Sequence, residues 1–465
     1  MPNPTIEVDY LIKGAGATGM AFADTLLTET DATIAMVDKH DKPGGHWNDA
    51  YPFVRLHQPS AYYGVNSRPL GTGAKDQVGL NKGFYELASG QEVLSHFDLT
   101  MNERFLPTGR VHYFPMTELS EDGAATGLLS KTKTTIKARK FVDGTHSRMQ
   151  VPSVSKPRYE IDRRVTVVPL NELPRATADS KYSSYVVIGA GKTGMDACIW
   201  LLQNGADPDS IRWIMPRDFW LLSRKNFQPG NEFFAAGAEN LANETEALAQ
   251  AETIDGLFLD LESRGNVRRI DPSVKPEGYH CAIISDLELE QLRRIKGIVR
   301  MGRVTRIGAD AIGLEKGTIP TGPEVLHVDC SAVGIPRLPS KQVFDGDRIT
   351  LQFVRFCQPV FSAAFIGHVE ATVEDIEVKN RICRPQAIPD TPEDYLRTMR
   401  VELANRQEWI SHPELGAWMA ASRLDVFQAR IQRMPQEYPE ALPHFQRYLT
   451  SVGRAAQNIG VLLGE

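Results

Sequence analysis

The chain has 465 residues, of which 42% are hydrophobic and 24% charged, with a formal net charge of −6. That length exceeds what one hydrophobic core supports, so at least two domains are expected. The mildly acidic balance supplies no basic field for nucleic acid, and no apolar run is long enough to cross a bilayer, so neither a nucleic-acid nor a membrane partner is expected.

The opening residues Met1-Pro2-Asn3-Pro4 lack a basic leader followed by an apolar stretch, which argues against an export signal and for a cytoplasmic protein. The five cysteines, Cys198, Cys281, Cys330, Cys357 and Cys383, are odd in number and scattered, with no Cys-x-x-Cys pair. They read as buried, reduced thiols, and no metal site is expected.

Residues 8–13 form a short, mostly apolar run that meets a glycine cluster, and residues 20–27 continue with helical spacing, which predicts strand, turn and helix. Residues 33–37 supply a second apolar strand that ends in Asp38 and Lys39 and completes a β-α-β unit. The turn reads Gly14-Ala15-Gly16-Ala17-Thr18-Gly19. In this G-x-G-x-x-G spacing the first glycine permits the tight turn, the second lets a pyrophosphate approach the backbone, and the third lets helix and strand pack closely. The helix start beyond it offers free N–H groups and a partial positive charge. Asp38 falls about 20 residues past the turn, where a carboxylate accepts a ribose hydroxyl and repels a 2′-phosphate, favouring FAD or NAD over NADP. Lys13 stands where such strands usually carry Val or Ile, with its head expected either in solvent or against a phosphate or flavin edge.

A Gly- and Pro-rich stretch covers residues 50–83, and residues 105–114 alternate as strands do. The nucleotide pattern then returns as a strand at 185–188, the turn Gly189-Ala190-Gly191-Lys192-Thr193-Gly194, a helix at 195–203 and a strand at 211–215. This second strand ends in Pro216-Arg217 instead of an acid. The planar fork of Arg217 suits a 2′-phosphate, and Arg224 and Lys225 add charge nearby, so NADPH is expected here. Residues 140–144 and 325–334 read as the strands by which the chain crosses between units. From about residue 389 the pattern is amphipathic and helical, with Trp409, Trp418, Phe427 and Tyr438 among charges, which predicts a helical tail packed on the body.

The segment after the first unit is Asp41-Lys42-Pro43-Gly44-Gly45-His46-Trp47-Asn48, followed by Tyr51-Pro52 and Arg55-Leu56-His57. With the two glycine turns, this resembles the class B flavin monooxygenases, the group of flavin-containing monooxygenases and Baeyer-Villiger enzymes. The resemblance implies that Gly45, His46 and Trp47 line the ribityl and pyrophosphate path of FAD. Phe141-Val142-Asp143-Gly144-Thr145 and His327-Val328-Asp329-Cys330-Ser331-Ala332-Val333-Gly334 are similar to the family's two crossings, and Phe365-Ile366-Gly367 to the segment that returns to the flavin. The Baeyer-Villiger fingerprint is absent: His146 is followed four residues later by Gln150, not Trp. His57 stands where many relatives carry an aspartate, and Asn66-Ser67-Arg68-Pro69 loosely resembles their Asn-containing segment.

The expected fold is α/β, with an FAD domain at 1–175 and 335–390, an NADP domain at 176–334 and a helical segment at 391–465. The expected activity is an FAD-dependent, NADPH-consuming monooxygenase that passes one oxygen of O2 to a small molecule through a C4a-(hydro)peroxyflavin. His57, Gln58 and Asn66 are the candidates for its oxygen pocket, with Gln58 and Asn66 as donors and His57 as proton donor. Phe356-Cys357-Gln358-Pro359 is expected to approach the ring from the other side, with Cys357 a packed thiol. Two rivals stand beside this reading: an FAD/NADPH oxidoreductase with a non-oxygen acceptor, from which the missing Cys-x-x-Cys pair removes disulfide reductases, and a non-catalytic nucleotide-binding redox sensor. Oligomeric state is open.

Overall fold

The computed structural model describes residues 4–465 except Asp122, Ser180, Val333, Val426 and Gln432. Met1, Pro2 and Asn3 of the leader reading and Val333 of the second crossing therefore lie outside the described residues. In chain order the first unit contributes β1 (Thr5–Lys13), α1 (Ala17–Glu29), β2 (Ile34–Val37), β3 (Val111–Phe114) and β4 (Lys133–Asp143). The second contributes β5 (Thr166–Pro169), β6 (Ser184–Ile188), α2 (Lys192–Gln203), β7 (Ile211–Ile214), β8 (Phe219–Ser223), α3 (Phe234–Gln250), α4 (Ile254–Ser263), β9 (Gly278–Ile284), β10 (Gly297–Val299) and β11 (Val325–Asp329). The chain then returns with β12 (Arg348–Thr350) and α5 (Pro359–Thr372) and ends in α6 (Pro392–Ile410), α7 (Pro413–Ala421) and α8 (Leu442–Leu463).

Two parallel sheets form the frame. In the first, the strands run β12-β4-β1-β2-β3, these neighbours all parallel, with the short strand Phe344–Asp345 antiparallel on the outer edge of β12 and an antiparallel hairpin (Thr117–Leu119 and Ala124–Gly127) attached to β4. In the second the order is β10-β7-β6-β11-β5, again parallel throughout. The fold is therefore α/β with two dinucleotide-binding units. Parallel strands are buried on both faces, which is why β2 (Ile-Ala-Met-Val) is apolar at every position and fully buried. Because β5 pairs with β11, residues 166–169 belong to the second sheet, ahead of the expected boundary at 176. The run Thr-Val-Val-Pro is too short to announce itself as a strand by periodicity.

Each glycine turn packs for the reason its spacing implies. A Cβ at Gly19 would lie 2.0 Å from the Gly14 carbonyl oxygen, and one at Gly194 would lie 2.1 Å from that of Gly189. Gly14 and Gly189 hold φ of +97° and +123°, in the region that favours glycine. In the second unit the buried Trp213 donates its indole N–H to the Gly189 oxygen at 2.8 Å, tying β7 to the turn.

Helix α5 lies along α1, and Gly367 allows the close approach, its would-be Cβ 3.1 Å from the Phe22 carbonyl oxygen. The C-terminal helices do not form a free tail. α8 packs along α3, a three-stranded sheet holds β8 and β9, and Trp220, Phe258, Tyr279, Tyr395 and Leu396 form a core between that sheet and the helices. α7 contributes Leu415 and Met419 to the core of the first unit instead.

Candidate functional site

A cavity of about 540 Å³, within the range that takes a small cofactor, runs along the C-terminal edge of the first sheet. Its wall includes Lys13, Gly14, Gly16, Ala17 and Thr18 from the turn, Asp38 and Lys39 from the end of β2, and Gly45 and His46. Further along stand Tyr63, Gly144, Arg148, Ile335, Gln352, Phe353, Pro359 and Gln386. The cavity therefore begins at the N-terminus of α1 and reaches the N-terminus of α5.

At the turn, α1 has Gly16 as its N-cap and no capping side chain, so its first N–H groups are free to meet an anion. Gly45, at φ +56°, comes so close that its would-be Cβ would sit 2.9 Å from the Gly16 Cα, and the Gly44 N–H donates to the Ala15 oxygen at 2.8 Å. The glycine pair thus folds directly over the turn, where any side chain would collide. His46 faces the cavity, and burial pushes its imidazole down to about 4, so it is neutral at pH 7. Trp47 is turned into the core, donating its N–H to the Tyr63 hydroxyl at 2.8 Å; Tyr63, not Trp47, reaches the cavity.

Asp38 is buried and already engaged. Its Oδ2 accepts the Ala15 N–H at 2.6 Å, and its Oδ1 accepts both the backbone N–H and Nδ1 of His40. A carboxylate offers about four acceptor positions, so one on Oδ2 remains for a ribose hydroxyl. The Asp38 hydrogen bond raises the His40 pKa, and a second contact from Asp49 at 2.9 Å supports the same charge. Burial pushes Asp38 up, but the His40 ring, the backbone N–H groups of His40 and Ala15, and the His40 charge outweigh it and hold the carboxyl low.

Lys13 extends into the wall with its head exposed, which removes the cost expected of an ammonium at a buried strand position. At the far end, the side-chain oxygen of Gln386 is buried and accepts no hydrogen bond, while its nitrogen donates to the Val354 oxygen and Glu402. An orphaned acceptor in a cavity wall is costly unless a ligand N–H meets it. Cradle, free helix N-terminus, residual Asp38 acceptor and orphaned Gln386 oxygen together fit an extended dinucleotide with a ring N–H at one end.

The second turn has a different surface. A Cβ on Gly191 would meet nothing within 4 Å, so the backbone there is open to a ligand. Lys192 is ion-paired with Asp196, which also accepts the hydroxyl of Tyr51, so a residue of the first unit is tied to α2. Thr193 lies in the first turn of α2. Arg217 lies in the turn just past β7, three residues beyond Ile214, and its fork is held bidentately by Asp390 at 2.8 and 3.1 Å and lies over the Phe219 ring. Arg224 is fully buried, paired with Glu288 at 2.7 Å and donating to the His57 and Ile283 oxygens. It is a structural cation, not a surface one open to phosphate.

The three oxygen-pocket candidates are not brought to the cavity wall. The His57 Nδ1 accepts the Ile283 N–H at 3.2 Å, and burial, with Lys192 and Arg224 nearby, drives its pKa down to about 3. It is an acceptor in the neutral form, which is the opposite of a proton donor. Gln58 follows it and does not line the cavity. The Asn66 oxygen accepts from Ser422 Oγ and the Arg423 N–H and so anchors the C-terminal segment. The wall residues that sequence reasoning missed, Tyr63, Arg148, Gln352 and Gln386, are scattered over more than 300 positions and carry no local motif.

Among curated proteins, the chain is 48% identical over 455 residues to the uncharacterized proteins Rv2000 of Mycobacterium tuberculosis and Mb2023 of Mycobacterium bovis, covering 97% of this chain and 84% of each of them. The chain belongs to the family of these mycobacterial proteins. No protein-family model matches it. Among solved structures, a flavin-containing monooxygenase from Stenotrophomonas maltophilia is 13% identical with a TM-score of 0.46, covering 79% of this chain and 98% of that one. A cyclohexanone monooxygenase from Rhodococcus sp. Phi1 bound to NADP+ is 14% identical with a TM-score of 0.47, covering 81% and 84%. Both scores lie below 0.5, and the architecture rests on the strand pairings of this chain.

Proposed function

We propose that this chain is an FAD-dependent, NADPH-consuming monooxygenase that acts on a small molecule with O2. The observation that carries the reading is the pair of glycine turns on two parallel sheets, the first of which opens onto the cavity of about 540 Å³. FAD, when bound, supplies hydride acceptance from a nicotinamide and the reaction of the reduced ring with O2.

The residues of the chain bind, orient and shield. The N-terminus of α1 and the glycine pair receive the pyrophosphate, Asp38 takes a ribose hydroxyl, and the Gln386 oxygen takes a ring N–H. Leu351, Phe353, Ile335 and Ile388 give the far end of the cavity an apolar lining that holds water out. Gly191 receives the pyrophosphate of NADPH, and Arg217, about one third exposed, presents its remaining N–H groups to the 2′-phosphate while keeping Asp390.

A second reading, the same two cofactors with an acceptor other than oxygen, is favoured by one observation: His57, Gln58 and Asn66 stand outside the wall, so none of the expected donors faces a reacting oxygen. Two measurements decide. The purified protein should carry a yellow chromophore that NADPH bleaches without air; a colourless protein that takes up no FAD overturns both readings. Label from isotopic O2 should then enter product; NADPH-driven turnover of another acceptor with no label incorporated selects the second.

A further inference from the structure

The cysteines divide into two groups. Cys198, Cys330 and Cys383 are buried, and burial pushes each thiol well above its ordinary range, which keeps them protonated and inert. Cys281 and Cys357 are half-buried and paired with each other, their Cα atoms 6.2 Å apart across 76 residues of chain, a separation that a disulfide spans. The pairing corrects the expectation of five reduced thiols, since the absence of a Cys-x-x-Cys motif says nothing about cysteines that the fold brings together.

The backbone departs from regularity at both positions. Tyr279 of β9 faces Trp220 of β8 and Ile283 faces Leu222, so β9 carries two extra residues between these pairings, and Cys281 lies within that bulge. Bulges re-aim side chains. Cys357 holds φ of +54°, a left-handed conformation uncommon for any residue with a side chain. Such conformations persist where the surroundings over-determine them, and they cluster at switches and active sites.

The pair also sits at a junction. Cys281 belongs to the second unit, whereas Cys357 lies in the loop between β12 and α5. There Phe356 packs on Tyr279 and Tyr395, Gln358 is the N-cap of α5, and Pro359 stands in the cavity wall.

We propose that Cys281 and Cys357 form a reversible thiol–disulfide site, oxidised by low-molecular-weight disulfides and reduced by low-molecular-weight thiols, that cross-links the two nucleotide units beside the cavity. The thiolate of one cysteine attacks the small disulfide, forming a mixed disulfide and releasing one small thiolate. The thiolate of the other attacks the protein-side sulfur, forming the Cys281–Cys357 bond and releasing the second. The protein loses two electrons and two protons, and the oxidant leaves as two thiols. The site does not depend on the flavin reading.

The test uses the full chain, incubated with oxidised glutathione, denatured, alkylated and weighed. After reduction with dithiothreitol and its removal all five cysteines should alkylate; after oxidation three should, with the Cys281 and Cys357 peptides joined, and a second reduction should restore five. C281S and C357S should each yield only a mixed disulfide on the remaining partner. Five alkylatable thiols after oxidation, mixed disulfides that never resolve in the wild type, or a link between other cysteines would overturn the proposal. The wild-type result decides even where a variant folds poorly.

Discussion

Arg224 and Arg217 carry the same guanidinium seven positions apart and face opposite demands. Arg224 is sealed in the core against Glu288, so Arg224→Ala leaves a carboxylate uncompensated, a loss of about 3–5 kcal/mol by analogy with other broken buried pairs. The expected outcome is a large fall in the urea midpoint with no selective change in nucleotide preference. Arg217 is partly exposed, and Arg217→Ala should raise KM for NADPH about tenfold, or about 1.4 kcal/mol, while leaving NADH unchanged. Equal effects on both nucleotides would remove Arg217 from phosphate recognition. The glycines separate fold from function in the same way. Gly191→Ala meets nothing and should leave the melting temperature unchanged while abolishing NADPH-driven flavin reduction. Gly19→Ala drives a methyl into the Gly14 oxygen and should destabilise the first unit by at least the roughly 1–3 kcal/mol of an overpacked core, read by thermal melting.

At the scale of elements, the end of β2 is held by a small charge relay in which His40 bridges Asp38 and Asp49. The folded pKa of His40 is raised above its ordinary 6.5, so its stabilisation is fully present below that value and is lost as pH rises through the raised one. Asp38 is shifted the other way, and its contribution is present above its ordinary 3.8 and lost as pH falls through its depressed value. His40→Gln should therefore abolish the alkaline part of the decline in melting temperature and weaken the acid part, since Asp38 would keep only the backbone N–H groups of His40 and Ala15. An unchanged alkaline slope would show that the bridge carries no such charge. The docking of α8 on α3 has a different origin, an apolar stripe covering a matching face, and it explains why the last helices belong to the body.

Across the whole molecule, acid acts on histidines that the fold keeps neutral. The pKa values of His57, at about 3, and of His46 and His96, at about 4, are all depressed chiefly by burial. The unfolded chain takes up protons near 6.5 that the folded chain refuses, so stability present above that pH should fall steadily toward pH 4. A flat melting temperature over that window would contradict the placement of these rings. His57 adds a reason of scale: it receives an N–H from β9, so its protonation would break a contact between the two units.

What the sequence by itself determined was local. Two glycine turns, the acid at the end of β2, the arginine just past β7 and the Gly44-Gly45 pair were legible because each acts within a few residues of itself, where backbone geometry leaves one solution. The partners of those residues were decided only by the tertiary structure. Asp390 on Arg217, Glu288 on Arg224, Ser422 on Asn66 and Cys357 on Cys281 lie from 64 to 356 positions away, and no periodicity encodes which distant side chain will close on a given charge or thiol. Burial then settles what each group does, because the same imidazole is an acid or a fixed acceptor according to the water it keeps.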